Sequence, residues 1–470
     1  MEIRYSIGQI GVLAQGYYKG NIRMEECLRA TQSLCPICNR LVEAKVLKDS
    51  ENIILAKYCP SHGRTDALLA QNTYYKHLDE FYFSLMDKGK KRKEGTVELL
   101  ITFRCNMNCP VCYLGEFKKQ INLDPTLEEL VEFIKTTKER KFILTGGEPT
   151  CREDVLEIIR VIKRRRKIVG MKTNGLKLAD MDYVAELKKA GIDEVEVQFS
   201  GTDSKAESYL RGEDHISLKL KALENLRKFC IPTRINALIA GGINENQLQE
   251  ILYLALSNSF IKMINFGTMQ FVGSAINFPH ERYLMPDNLL RLLEEQTEGK
   301  IKRKHAYLFK KLEITLSTLF NRTTCLYNFI YLIIRDKANF NSIDKYIDLD
   351  AIEPYLNRYQ EIYVHNHFLA KLYLFLISPL IMIFHAKSIK ILKELFISTA
   401  AFLSKSSFLL RSNRLIYLLF TVECDPYRMD YSIYQNCPCK VVHFFDKFNG
   451  KFIKTRKPLE STDWLLGEVK

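Results

Sequence analysis

Cys105, Cys109 and Cys112 stand in the run Cys105-Asn106-Met107-Asn108-Cys109-Pro110-Val111-Cys112, a C-x3-C-x2-C spacing. Three thiolates on one short loop suit three irons of a [4Fe–4S] cluster and leave the fourth iron without a protein ligand. Clusters that only carry electrons take four cysteines, so an open iron suits direct binding of a substrate or cofactor. A zinc-binding loop is the alternative for such a group. A second metal pattern lies upstream, Cys35-Pro36-Ile37-Cys38 and Cys59-Pro60-Ser61-His62-Gly63. Two knuckles at the ends of a hairpin make a ribbon site for a tetrahedral ion, with Cys35, Cys38 and Cys59 as ligands. His62 has knuckle spacing for the fourth position, and Cys27 is the alternative. An all-cysteine set would suit mononuclear iron as well as zinc. Near the other end, Cys325, Cys424, Cys437 and Cys439 form a candidate set for an auxiliary [4Fe–4S] cluster. Cys151 reads as a packing residue, and Cys230 has no evident partner.

The elements that must position these groups follow from periodicity. Val97 to Phe103 reads as a strand leading into the three-cysteine loop. Lys141 to Thr145 reads as a second, ending in Gly146-Gly147-Glu148-Pro149. Further strands are expected at 167–172, 194–199, 233–239 and 264–270, each followed by a helix-patterned stretch or a glycine turn. Repeated βα units of this length predict a parallel sheet curling into a six-unit partial barrel. In such barrels functional groups sit at the C-terminal ends of the strands. Thr173 and Asn174, Ser200 and Asn236 fall at or near that rim, as do the cysteine loop and Gly-Gly-Glu-Pro. The basic run Lys163 to Lys167 reads as the solvated end of a helix.

A cysteine loop after the first strand and Gly-Gly-Glu-Pro after the second resemble the radical S-adenosylmethionine (radical SAM) superfamily. Val111 stands where that family often has an aromatic residue, and Tyr113 follows the last cysteine. The resemblance implies that SAM chelates the open iron and that Gly146, Gly147, Glu148 and Pro149 contact its amino group. Thr173, Asn174 and Ser200 are candidates for bonds to its ribose or carboxylate. It further implies reductive cleavage of SAM to a 5′-deoxyadenosyl radical that abstracts hydrogen from an unactivated C–H bond. An electron donor such as ferredoxin or flavodoxin is implied as partner. The ribbon ahead of the barrel, Thr31-Gln32-Ser33-Leu34 before it, Tyr74-Tyr75 after it, and Asp425-Pro426-Tyr427-Arg428-Met429-Asp430 in the tail resemble a narrower subgroup. That subgroup includes the archaeal tetraether lipid synthases, formerly assigned to pterin methylation. Those enzymes carry two auxiliary clusters, whereas the cysteines here suffice for one.

The expected architecture is α/β. A ribbon region at 1–92 precedes a partial (β/α)6 radical SAM barrel at 93–275 and a mostly helical C-terminal domain at 276–470. The 470 residues carry a net charge of +14 and 13 cysteines, and no secretory signal is evident. Cysteines in that setting argue for metal sites over disulfides and for a reducing cytoplasm. Apolar stretches at 372–384, 395–403 and 408–420 alternate with basic residues. None reaches the ~20 residues needed to cross a bilayer. They suit either helices lying on the inner membrane face or a buried helix pair. The leading expectation is therefore an oxygen-sensitive radical enzyme acting on a lipid or other apolar substrate. Modification of a peptide or small molecule is the alternative. A nucleic-acid-binding zinc protein would suit the charge, but Gly-Gly-Glu-Pro at a strand end speaks against it, so no nucleic acid is expected.

Overall fold

The computed structural model describes residues 25–86, 96–115, 123–279, 282–319, 323–336, 339–385, 414–421, 428–436, 441–446 and 451–456. Four antiparallel strands come first: β1 (Glu26–Leu34), β2 (Leu41–Asp49), β3 (Asn52–Cys59) and β4 (Gly63–Gln71), ordered as in the chain. Alternation builds this sheet. In β2, Val42, Ala44 and Val46 are buried, while Leu41, Glu43 and Lys45 between them are exposed. Helix α1 (Tyr74–Leu85) then buries Tyr75, Leu78, Phe81 and Tyr82.

The barrel follows as β5 (Thr96–Thr102), α2 (Leu127–Thr136), β6 (Lys141–Gly146), α3 (Val155–Arg164), β7 (Ile168–Thr173), α4 (Met181–Ala190) and β8 (Glu194–Gln198). It continues with α5 (Ser204–Arg211), α6 (Ile216–Lys228), β9 (Thr233–Ile239), α7 (Leu248–Ser257) and β10 (Ile261–Thr268). Strands β5 to β10 pair side by side and in parallel. One face of each strand is apolar: Leu99, Phe142, Leu144, Val169, Val195, Val197, Ile235 and Phe266 all join the main core. Each such side chain contributes roughly 1.5–3 kcal/mol by leaving water. That core is continuous with Val46 and Leu55 of the first sheet, so the ribbon is packed onto the barrel. The basic run behaves as read: it ends α3, with Lys163 on Asp193 at 2.8 Å and Lys167 on the Thr137 carbonyl.

The C-terminal part holds α8 (Pro286–Gln296), α9 (Arg303–Leu319), β11 (Phe329–Asp336), β12 (Asn339–Ser342), α10 (Glu353–His365) and α11 (His367–His385). After these come β13 (Leu415–Thr421), α12 (Tyr431–Asn436), β14 (Val441–Asp446) and β15 (Lys451–Arg456). Helix α11 takes in the apolar stretch 372–384, but the described residues of this region, expected to be mostly helical, also supply five strands. The apolar stretch 408–420 ends as strand β13, parallel to β10 and antiparallel to β11. Strand β14 adds in parallel to the other edge, beside β5. The barrel sheet thereby grows to eleven strands, ordered β12-β11-β13-β10-β9-β8-β7-β6-β5-β14-β15. The cause is pairing between residues far apart in sequence, which local periodicity does not register. The stretch 395–403 lies outside the described residues. Among the described residues no helix is long and apolar enough to cross a membrane.

The tail also fastens the ribbon. Asp430 is buried, accepts from Thr31 at 2.6 Å and pairs with Arg29, whose guanidinium also reaches Asp79 at 2.8 Å. Ser33 donates to the Met429 carbonyl. The two segments that carried the subgroup resemblance, 31–34 and the end of 425–430, thus touch each other.

Candidate active site and metal centre

Cys35, Cys38, Cys59 and His62 place their donor atoms within 4.8 Å of one another. His62 Nδ1 lies 3.6 Å from Cys35 Sγ and 3.4 Å from Cys59 Sγ, and Cys38 Sγ is 3.9 Å from Cys59 Sγ. A tetrahedral zinc with ordinary bond lengths has ligand-to-ligand edges of about 3.5–3.8 Å. The quartet therefore has the shape of a zinc site, with His62 in the fourth position. Cys27 sits exposed near the start of β1. Burial raises the Cys59 thiol, but N–H groups of Ser61 and His62 outweigh it and bring it down to about 6.

The second centre is the rim of the barrel. Strand β5 ends at Thr102, and the three-cysteine loop leaves directly from it. Strand β6 ends in Gly146, and Gly147 and Glu148 lie against the start of that loop: Gly147 N donates to the Thr102 carbonyl (2.8 Å) and Glu148 N to the Arg104 carbonyl (2.7 Å). A Cβ on Gly146 would stand 2.1 Å from the Thr102 oxygen, and one on Gly147 2.2 Å from the Arg104 oxygen. The glycine pair is required because two backbones meet there. Tyr113 clamps the same place by donating to the Gly146 carbonyl at 3.1 Å. Val111 packs beside Leu210, Met269, Phe271 and Phe278 at the rim.

Glu148 is fully buried, and its carboxylate is occupied by the protein. It accepts from Thr150 N (3.1 Å) and Oγ1 (2.7 Å), from Thr173 Oγ1 (2.8 Å) and from Asn174 N (2.6 Å). Burial pushes its pKa above the ordinary range, against these donors. Asn174 in turn donates to Asn106 Oδ1 of the cysteine loop at 2.7 Å. Glu148, Thr173 and Asn174 are thus one network joined to the loop. Ser200 belongs to another: its hydroxyl accepts from Gln198 (2.8 Å), Leu238 N (3.2 Å) and Arg211 Nη2 (3.3 Å).

Burial first, then Glu148, Cys109 and Cys112, push the Cys105 thiol up to about 12. A thiol raised in this way becomes a thiolate only beside a cationic centre such as a metal. The donors of Cys105, Cys109 and Cys112 do not converge within 4.8 Å as the ribbon's do, which suits one thiolate per iron better than a single ion. Arg211 offers the matching site for a carboxylate. Its Nε is buried without a protein partner among the described residues. Its helix ends against the loop, where a Cβ on Gly212 would stand 3.1 Å from the Asn108 oxygen. Sequence reasoning missed Arg211; the signal that could have found it is an Arg-Gly pair closing the helix after β8. Cys325 is buried, Cys151 half-buried and Cys230 exposed. Cys424, Cys437 and Cys439 lie outside the described residues.

Residues 99–255 match the radical SAM superfamily. The barrel is a radical SAM domain. Residues 27–71 match the HMPTM N-terminal zinc ribbon domain. A radical SAM barrel implies a [4Fe–4S] cluster and SAM, and the ribbon implies zinc, in keeping with the donor sets above. Over 313 residues the chain is 29% identical to a 7,8-dihydro-6-hydroxymethylpterin dimethyltransferase of Methanocaldococcus jannaschii, covering 59% of this chain and 61% of that one. Over 161 residues it is 30% identical to a probable GTP 3′,8-cyclase of Pyrococcus abyssi, covering 34% and 52%. The chain therefore spans about half to three fifths of the length of these relatives. Among solved structures, Streptococcus suis SuiB bound to S-adenosylmethionine aligns with a TM-score of 0.37 and 18% identity over 45% of this chain and 48% of that one.

Inside this radical SAM barrel the lining is polar. Lys172 of β7 bonds to Glu98 of β5 across β6. Lys141 and Arg234 both pair with Glu194, at 2.7 and 2.9 Å. Asn265 donates to Asn236 at 3.0 Å and accepts from Thr421 at 2.8 Å. Glu196 shares the strand face of Glu194 and Gln198.

Proposed function

We propose that this chain binds a [4Fe–4S] cluster through Cys105, Cys109 and Cys112 and uses SAM to remove a hydrogen atom from an unactivated C–H bond. The carrying observation is the three-cysteine loop locked against Gly146-Gly147-Glu148 at the mouth of a parallel barrel. When bound, cluster and cofactor supply one-electron cleavage of the sulfonium. The protein's part is placement. Glu148 holds Thr173, Asn174 and, through Asn174, the cysteine loop in register. Arg211 and Ser200 present donors toward SAM's polar groups. A small protein such as ferredoxin or flavodoxin supplies the electron.

The polar lining supports a small substrate with hydrogen-bonding groups, of the pterin or guanine-nucleotide kind named for the two relatives. A charged and amide-lined wall solvates polar groups of a ligand better than it solvates a purely apolar chain. A lipid substrate met at a membrane face is the second reading. It is favoured by the exposed row Phe368, Leu369, Leu372, Phe375 and Leu376 on α11. Anaerobic reconstitution with iron and sulfide, followed by dithionite and SAM, tests the core proposal through 5′-deoxyadenosine release. Absence of a cluster signal, or a signal SAM leaves unchanged, would sink it. Stimulation by 7,8-dihydro-6-hydroxymethylpterin or GTP favours the polar reading. Stimulation only by phospholipid vesicles favours the lipid.

A further inference from the structure

Cys105 is preceded by a charged residue whose partner is fixed. Arg104 carries a half-exposed guanidinium, and its Nε donates to Asp124 at 3.0 Å. Asp124 is buried and stands just ahead of the α2 N-cap, Thr126. Its carboxylate also accepts from Thr102 Oγ1 at 2.6 Å and from Phe103 N at 2.7 Å. Every residue from the end of β5 to the first cysteine is therefore held by this one carboxylate. From the other side Gly147 and Glu148 bond the carbonyls of Thr102 and Arg104.

A cluster that reduces a sulfonium must hold its electron at low potential. Nearby positive charge raises that potential, and local charge and hydrogen bonding are among its main controls. An ion pair cancels such a field only while both partners remain, and here Asp124 is buried while Arg104 is half-exposed. We infer that Asp124 is a positioning residue that fixes the approach to Cys105 and, by neutralising Arg104, keeps the cluster strongly reducing. The inference rests on the assignment of the cluster to Cys105, Cys109 and Cys112.

The test compares anaerobically reconstituted wild type, Asp124→Asn, Arg104→Gln and the double variant. Iron and sulfide content and the midpoint potential, followed by electron paramagnetic resonance, are the readouts. Asp124→Asn should move the midpoint positive, because Arg104 is left uncancelled. Arg104→Gln should move it negative, and the double variant should return toward wild type. A purely structural role for Asp124 would not produce that return. If Asp124→Asn fails to take up iron, the Arg104→Gln shift still decides. A midpoint unmoved in Arg104→Gln, or unrestored in the double variant, overturns the inference while leaving the cluster assignment intact. A wild type that assembles no cluster overturns both.

Discussion

The ribbon and the barrel rim both gather cysteines, yet they gather them differently. Ribbon donors come from two turns locked by strand register, with Cys59 opposite Gly63, and they close to within 4.8 Å. Rim donors come from one irregular loop, do not close, and sit beside a buried carboxylate and a guanidinium nitrogen that has no partner among the described residues. A closed quartet leaves an ion nothing further to bind, whereas the rim keeps capacity in hand. On the proposed reading, structural and reactive metal chemistry are separated by scaffold as well as by the ribbon's histidine.

The sharpest way to break this contrast is to replace the rim cysteines. Cys105→Ala, Cys109→Ala and Cys112→Ala together should abolish cluster absorbance and SAM cleavage while zinc content stays at the wild-type level. Loss of zinc as well would mean that the two centres are not independent. Conversely, Cys59→Ser should release zinc and destabilise the chain by several kcal/mol, a fraction of the roughly 10–16 kcal/mol that drives isolated zinc fingers to fold. The shared core with Leu55 and Val46 limits the damage, so iron content should persist. Metal analysis beside thermal melting reads both.

Two milder changes probe the barrel scaffold. Glu194→Gln strands Lys141 and Arg234 and should cost about 3–5 kcal/mol in urea unfolding at neutral pH. Burial raises the Glu194 carboxyl, but Arg234 and Lys141 outweigh it and hold it below 4.5. Its contribution is therefore present above that value and is lost as pH falls through the lowered one. The variant should show a shallower acid limb than wild type. Thr126→Ala removes the capping box with Glu129 at the start of α2 and should cost about 1 kcal/mol, leaving both metal contents unchanged.

Much of the rim was legible because chemistry and periodicity agreed there. Short apolar runs located β5 to β7 and apolar–polar alternation located β8 and β9, and the cysteine loop and Gly-Gly-Glu-Pro fell where strands end. The ribbon quartet was readable from its spacing, with His62 over Cys27. What stayed hidden was non-local. Strand β13 carries an apolar run that a helix would also carry, and only its place beside β10 makes it a strand. Arg211 and Asp124 are single residues whose roles come from what lies opposite them. Glu148 was legible as a site residue, but the network that occupies its carboxylate required Thr173 and Asn174 to be seen around it.

The last strands to be made flank the first strand of the barrel and its sixth. A ribosome that has finished Thr268 has released every rim cysteine, but the sheet then has two raw borders, and β11, once made, meets β12 on one side and waits for β13 on the other. Unpaired strand borders recruit other chains. Shortened versions ending before Leu415 should therefore clump before they reveal anything about catalysis, and insolubility in such a fragment says nothing against its chemistry.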